Sequence, residues 1–157
     1  MMSRATRRLT KVVTSNTSGE GFAFGRGVVI PLSPVPASRP RIPRFGKPYY
    51  EGRYKTFRED FTKWLGTVSL PEPIPKPATF SVTIRVACDR PKKPANDFPR
   101  GDVDNYAKAI MDQLQGWGWF ADDVQVTTLY VTKGYAEVGE PGYIQLIIER
   151  NDPHGSD

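Results

Sequence analysis

Five aspartates and one lysine fall within residues 101–123, "GDVDNYAKAIMDQLQGWGWFADD", and these are the side chains whose types and spacing suit chemistry. Asp102 and Asp104 stand two apart just before a predicted helix. In an extended segment alternate side chains share a face, so the two carboxylates are expected to point the same way. They do so at a helix start, where the dipole favours negative charge. Lys108 follows Asp104 by four residues, so one helical turn stacks its ammonium near that carboxylate. Asn105, Lys108 and Asp112 line the helix face away from its apolar stripe. Asp122 and Asp123 come where the loop after the helix meets a strand. If that strand runs beside the helix start, one of them approaches Asp102 and Asp104. Three converging carboxylates repel one another, and Mg²⁺ relieves that repulsion with oxygen ligands and retained waters. Each feature also has a plainer account. A lone aspartate before a helix is usually a cap, and an exposed i,i+4 ion pair contributes only about 0.3–0.5 kcal/mol. A Ca²⁺ EF-hand loop is excluded, because Tyr106 and Ala107 occupy positions where it needs an oxygen ligand and a glycine.

The acidic segment is an island. It balances at −4 in a chain of formal charge +5, which leaves +9 on the remainder. The positive charge is clustered. Arg39, Arg41, Arg44 and Lys47 lie in "SRPRIPRFGK", with Arg53 and Lys55 just beyond, and Arg90, Lys92, Lys93 and Arg100 lead into the island. Such patches bind phosphate backbones through charge neutralisation and counterion release, or they simply keep a surface soluble. Composition removes other chemistries. The 157 residues contain one cysteine, Cys88, and one histidine, His154. A Ser-His-Asp triad, a Cys-His pair and a multi-His or Cys/His zinc site all need more. No apolar run approaches the ~20 residues of a membrane helix, and a reducing cytoplasm is the expected location. The basic start "MMSRATRRLTKVV" lacks the apolar core of a secretory signal.

These residues need elements to hold them. Residues 1–20 are expected to be a flexible basic arm, residues 21–150 a single domain, and residues 151–157 a disordered tail. An aromatic and β-branched stretch predicts a strand over 22–32, followed by a basic, proline-rich loop. Residues 56–67 predict a helix. Thr56 and Glu59 match the spacing of a capping box, and Phe57, Phe61, Trp64 and Leu65 form a core stripe. "PEPIPKP" predicts a stiff linker. Strict alternation predicts a strand over 79–88, with Phe80, Val82, Ile84, Val86 and Cys88 on its apolar face. Cys88 is therefore expected to be a structural thiol. A second helix is predicted over 104–115, stopped by Gly116. Strands over 124–133 and 143–150 follow, around a turn containing Pro141 and Gly142. Trp117, Trp119 and Phe120 are expected to pack against the sheet, and Phe98 to pack locally or to wedge into nucleic acid. The fold expected is α+β, a small mixed or antiparallel sheet carrying two main helices.

"DVDNYAKAIMDQL" followed by "ADDVQV" resembles the core signature of the RusA-type Holliday junction resolvases. The pattern D-x-D-N-x-x-K, an Asp-x-Leu further along the helix and a paired Asp before a strand is met at Asp102, Asp104, Asn105, Lys108, Asp112, Leu114, Asp122 and Asp123. The resemblance runs over residues 28–150 and is looser upstream of the motif. It departs at Gly101, which stands where members often carry proline. The resemblance implies a dimeric endonuclease, frequent in phages and prophages, that requires Mg²⁺ or in its place Mn²⁺ and resolves four-way DNA junctions in recombination and repair. It implies Asp102, Asp104 and Asp123 as metal ligands, Asp122 as a possible further ligand, and Lys108 as the catalytic lysine. DNA contacts are expected from Arg39, Arg41, Arg44, Lys47, Arg90, Lys92, Lys93 and Arg100. Two other readings stay open: a nucleic-acid-binding protein without catalysis, and a metal-dependent nuclease for other branched DNA.

Overall fold

The computed structural model describes residues 27–69 and 73–151. The expected N-terminal arm, residues 22–26 of the first expected strand, part of the proline-rich linker and residues 152–157 of the expected tail lie outside the described residues. Strand β1 (Gly27–Ile30), helix α1 (Gly52–Leu65), strand β2 (Thr79–Cys88), helix α2 (Val103–Gly116), a 3₁₀ turn (Asp123–Gln125), strand β3 (Val126–Tyr135) and strand β4 (Tyr143–Asn151) follow in order. The four strands form one mixed sheet in the order β1-β4-β2-β3. Strand β4 pairs antiparallel with β1 and β2, whereas β2 and β3 are parallel. Among the described residues no helix is long and apolar enough to cross a membrane.

Register explains why this sheet has one dry face. Val28, Leu146 and Ile84 lie side by side across three strands, and so do Ile30, Ile144 and Val86. All six are buried. The alternate residues Thr79, Ser81, Thr83 and Arg85 are only partly covered, as suits a sheet packed on one side. On the dry side, α1 contributes Tyr54, Phe57, Phe61 and Leu65, and α2 contributes Tyr106, Ala107, Ala109, Ile110 and Leu114. Trp119 and Phe120 complete this core against Phe80, with ring centroids 6.3 and 5.2 Å from it. Both are buried as expected, while Trp117 is exposed. Cys88 is likewise buried, and its thiol donates to the Tyr106 hydroxyl at 3.4 Å.

Several boundaries differ from those the sequence predicts, each for a local reason. Helix α1 begins at Gly52, a full turn before Thr56. Tyr54 extends the apolar stripe backwards, and the Thr56 hydroxyl bonds inside the helix to the Gly52 carbonyl at 3.4 Å, so no capping box forms there. Helix α2 ends on Gly116, but the glycine that closes it is Gly118. The N–H groups of Gly118 and Trp119 donate to the carbonyls of Gln115 and Leu114 at 2.8 and 3.3 Å. This is the Schellman pattern, with Gly118 in the left-handed region at φ +75°. Strand β3 starts at Val126, because Val124 and Gln125 are wound into the 3₁₀ turn. Strands β3 and β4 follow each other in sequence but make no hairpin; they flank β2 on opposite sides. Asn151 belongs to β4 rather than to the tail, and its amide donates to the Thr79 and Thr127 hydroxyls.

Centrality in this sheet sets the cost of truncation. Ile84→Ala, in the central β2, is expected to destabilise the protein by about 3 kcal/mol. Leu129→Ala, on the edge strand and 47% exposed, is expected to cost less than about 1 kcal/mol. Urea unfolding of the two variants measures the difference.

Candidate active site

The chain enters α2 through a tightly fixed turn. Asp102 is the N-cap residue, with extended φ/ψ of −70° and 142°, yet its side chain makes no capping hydrogen bond. Its carbonyl accepts the N–H groups of Asn105 and Tyr106 at 3.1 and 3.2 Å. Because the helix starts at Val103, residues 102–104 are not an extended run, and the alternation that would align Asp102 with Asp104 does not govern them. Asp104 sits in the first helical turn, where its carboxylate accepts the Asn105 N–H at 3.0 Å. Gly101 lies flat against Tyr106: a Cβ there would stand 2.6 Å from a carbon of the buried ring. No room exists for proline at this position. Burial pushes the Cys88 thiol and, more strongly, the Tyr106 hydroxyl above their ordinary pKa values.

Beyond this turn, α2 and β3 enclose a groove of about 770 Å³. Asp104, Lys108, Asp112 and Asp123 give it polar walls, over a floor of Ala107, Met111, Val126 and Val131. Asp104 and Lys108 share this groove as their spacing predicts, without closing an ion pair. Asp112 lies two turns beyond Asp104, roughly 12 Å along the helix axis. Asp123 belongs to the Asp112 end, since Asp122 and Asp112 are the carboxylates that act on it electrostatically. Asp102 does not line the groove. Among the described residues no three or more His, Cys, Asp or Glu side chains gather as a metal site would require. The donors are hard carboxylate oxygens, the type that Mg²⁺ takes, but Asp104 stands at one end of the groove and Asp112 and Asp123 at the other.

The two adjacent aspartates have separate tasks. Asp122 caps the 3₁₀ turn, accepting the Val124 N–H at 3.2 Å. That bond holds its carboxyl below the ordinary range, while the hydrogen bond between the two carboxyls pushes that of Asp123 up. Lys76 stands 3.8 Å from Asp122. Gln125 underlies both. Its carbonyl accepts the N–H groups of Ala121 and Asp122 at 3.0 and 3.1 Å, and its amide donates to the carbonyls of Ile74, Pro75 and Ala78. Sequence reasoning passed over Gln125, although Asp122 and Gln125 have the spacing of a capping box.

The basic residues expected to meet DNA (Arg39, Arg41, Arg44, Lys47, Arg90, Lys92, Lys93 and Arg100) are all exposed. Their freedom differs. Arg41 pairs with Glu51, and Arg44 lies over Phe45. Arg90 donates to the Ala136 carbonyl at 3.2 Å and covers Tyr135. The Ala37 N–H donates to the Asn105 carbonyl at 2.9 Å, which fastens the proline-rich basic loop beside the start of α2. Phe98 is 54% exposed and packs into no core.

Gln125 makes the Asp122–Asp123 turn a testable unit. Gln125→Leu strands buried backbone donors and acceptors, and the expected loss is about 3 kcal/mol. A urea melt reads the loss, and amide exchange at Ala121 and Asp122 should accelerate with it.

No individual curated protein matches the chain. The model of the family described as endodeoxyribonuclease RusA, however, matches residues 31–145. That span contains α1, β2, α2, β3, the start of β4 and every aspartate of the groove. The chain belongs to the RusA endodeoxyribonuclease family.

Proposed function

We propose that the protein is a divalent-metal-dependent endonuclease that resolves four-way DNA junctions by symmetric hydrolysis during recombination and repair. In this reading it works as a homodimer, and each of its two sites is completed by the partner subunit. The observation that carries the proposal is the disposition of the carboxylates. Asp102 sits at a helix N-cap without capping, Asp104 and Lys108 open onto a groove, and Asp123 stands at the far end of that same groove. An aspartate serving merely as a cap would accept a backbone N–H, as Asp122 does at the 3₁₀ turn and Asp102 does not at α2.

Strand β3 suggests how the ends meet. It is an edge strand of the sheet, and Leu129 and Tyr130 at its middle are 47% and 63% exposed. An unpaired strand edge is a template for a second chain. A two-fold axis near Leu129 and Tyr130 would run the two β3 strands antiparallel and bring the start of each beside the end of the other. The partner subunit's Asp123 would then face Asp102 and Asp104. A two-fold dimer also presents two equivalent sites, matching the near-symmetry of a four-way junction.

Asp102 and Asp104, with the partner subunit's Asp123, would hold the metal. When bound, Mg²⁺ supplies Lewis acidity toward a phosphoryl oxygen and lowers the pKa of water, and Mn²⁺ serves as a substitute with similar ligands. Lys108, one turn beyond Asp104, places its ammonium where charge grows on the phosphorane and leaving oxygen, which a preorganised cation stabilises. Outside the groove the exposed arginines and lysines take the phosphates of the junction arms.

A labelled four-way junction, incubated with Mg²⁺ and with EDTA, is expected to be cut only with the metal. Retention on a gel without cutting in either condition would make the protein a binder alone, and faster cutting of flaps would change its substrate. Asp104→Asn is expected to bind the junction and not to cut it. Asp123→Asn should behave alike, and an equimolar mixture of these two variants should recover nicking. Half the dimers then carry one intact composite site, giving about a quarter of the wild-type sites; no recovery would place both aspartates in a site within one chain. Lys108→Ala is expected to slow single-turnover cleavage by about 10²–10³-fold with junction affinity nearly unchanged.

A further inference from the structure

We propose that Lys133 is a positioning residue that aims the Asp102 carboxylate, an inference that rests on the reading of Asp102 as a metal ligand. Parallel pairing sets Lys133 beside Val86, on the face of the sheet that the helices cover. Its half-buried ammonium donates to the carbonyls of Pro99 and Gly101, at 2.9 and 2.8 Å. It also lies 5.4 Å from the centroid of the Phe98 ring. No carboxylate is among these partners. A half-buried lysine ordinarily meets an acid; this one directs its charge to Phe98, Pro99 and Gly101, in the loop that delivers Asp102.

The consequence is geometric. The Gly101 carbonyl belongs to the same rigid peptide unit as the Asp102 nitrogen, so Lys133 fixes the plane that enters Asp102. The plane that leaves Asp102 is fixed by the Asn105 and Tyr106 N–H groups on its carbonyl. Tyr106 packs against Gly101 from the other side, and Cys88 steadies its hydroxyl. With both peptide planes held, the direction of the Asp102 Cα–Cβ bond is settled. The side chain itself makes no capping bond. A free carboxylate on a fixed backbone is what a ligand needs, and a purely structural clamp would have no reason to leave it free. Partners of this kind are worth about 10–100-fold in metal affinity.

Mn²⁺ binding to the full-length protein, followed by electron paramagnetic resonance, tests the proposal without reference to cleavage. Lys133→Met is expected to weaken Mn²⁺ binding about 10-fold, and Lys133→Arg, which keeps donors for both carbonyls, to restore most of it. In an Asp102→Asn background, Lys133→Met should weaken binding no further, because its effect passes through Asp102. Thermal melts confirm that each variant is folded, and Lys133→Gln replaces Lys133→Met in the same comparisons should the latter fail to fold. If the wild type binds no Mn²⁺, the metal-site reading falls and the proposal with it. If the wild type binds and Lys133→Met binds equally well, or weakens binding equally in both backgrounds, the metal site stands and the role of Lys133 is refuted.

Discussion

The parallel pairing of β2 with β3 is the constraint on which the rest depends. Two parallel strands cannot be joined by a tight turn; the chain must cross over, usually through a helix. Here the crossover is residues 89–125, and it holds every acid of the island. A 14-residue helix spans about 21 Å, so the crossover necessarily delivers its first acids to one end of the sheet and its last to the other. Asp102 and Asp104 arrive where β2 and β3 finish. Asp122 and Asp123 arrive where β3 begins. The groove between α2 and β3 connects the two ends, and it opens along β3, which among the described residues is an edge strand of the sheet.

Electrostatics gives the same arrangement a second meaning. The carboxylates lie at the positive end of α2 or at a capped 3₁₀ turn, where backbone N–H groups favour negative charge. The basic residues lie on loops around them, and the bond from Ala37 to Asn105 ties one of these loops to the acidic helix. Clusters of positive and of negative charge are thereby placed side by side without neutralising each other. Arg41 and Arg90 are partly engaged by protein groups, so the residues freest to meet phosphate are Arg39, Lys47, Lys92, Lys93 and Arg100. The exposed Phe98 stands in the same loop as the last three.

Much of this was legible in the sequence, and the reasons separate the readable from the unreadable. Strand β2 has the predicted ends because strict alternation over ten residues admits one register and one face. The core stripe of α2 was equally plain, and so was the burial of Cys88, Trp119 and Phe120. What local pattern does not contain is which strands are neighbours. Strands β3 and β4 are adjacent in sequence and separated in space, and nothing in either segment says that β2 lies between them. The expectation that acids from both ends of α2 meet within one chain fails to find its cluster for this reason. It was conditional on Asp122 and Asp123 coming beside the helix start, whereas a parallel crossover begins the next strand beside the helix end. Lys133 was hidden in a similar way, since a lysine in a strand reads as solvent-facing until the register places it on the covered face.

Asp122 and Asp123 show how far residue type alone can mislead. Adjacent and identical, they are told apart in the sequence only by the family resemblance, which favours Asp123. The backbone makes them unequal. Residues next to each other near a strand point in different directions, and the 3₁₀ turn needs a cap at one of the two positions only. Asp122 supplies it, with Gln125 bonded back to the N-cap amide. Its carboxylate is thereby committed to its own turn. The hydrogen bond between the two carboxyls raises the proton affinity of Asp123. At the other end, Asp102 reverses the pattern, occupying a capping position and declining the cap. What separates these aspartates is hydrogen-bond accounting at two turns, and on that ground Asp102 and Asp123, rather than Asp122, are proposed as the ligands.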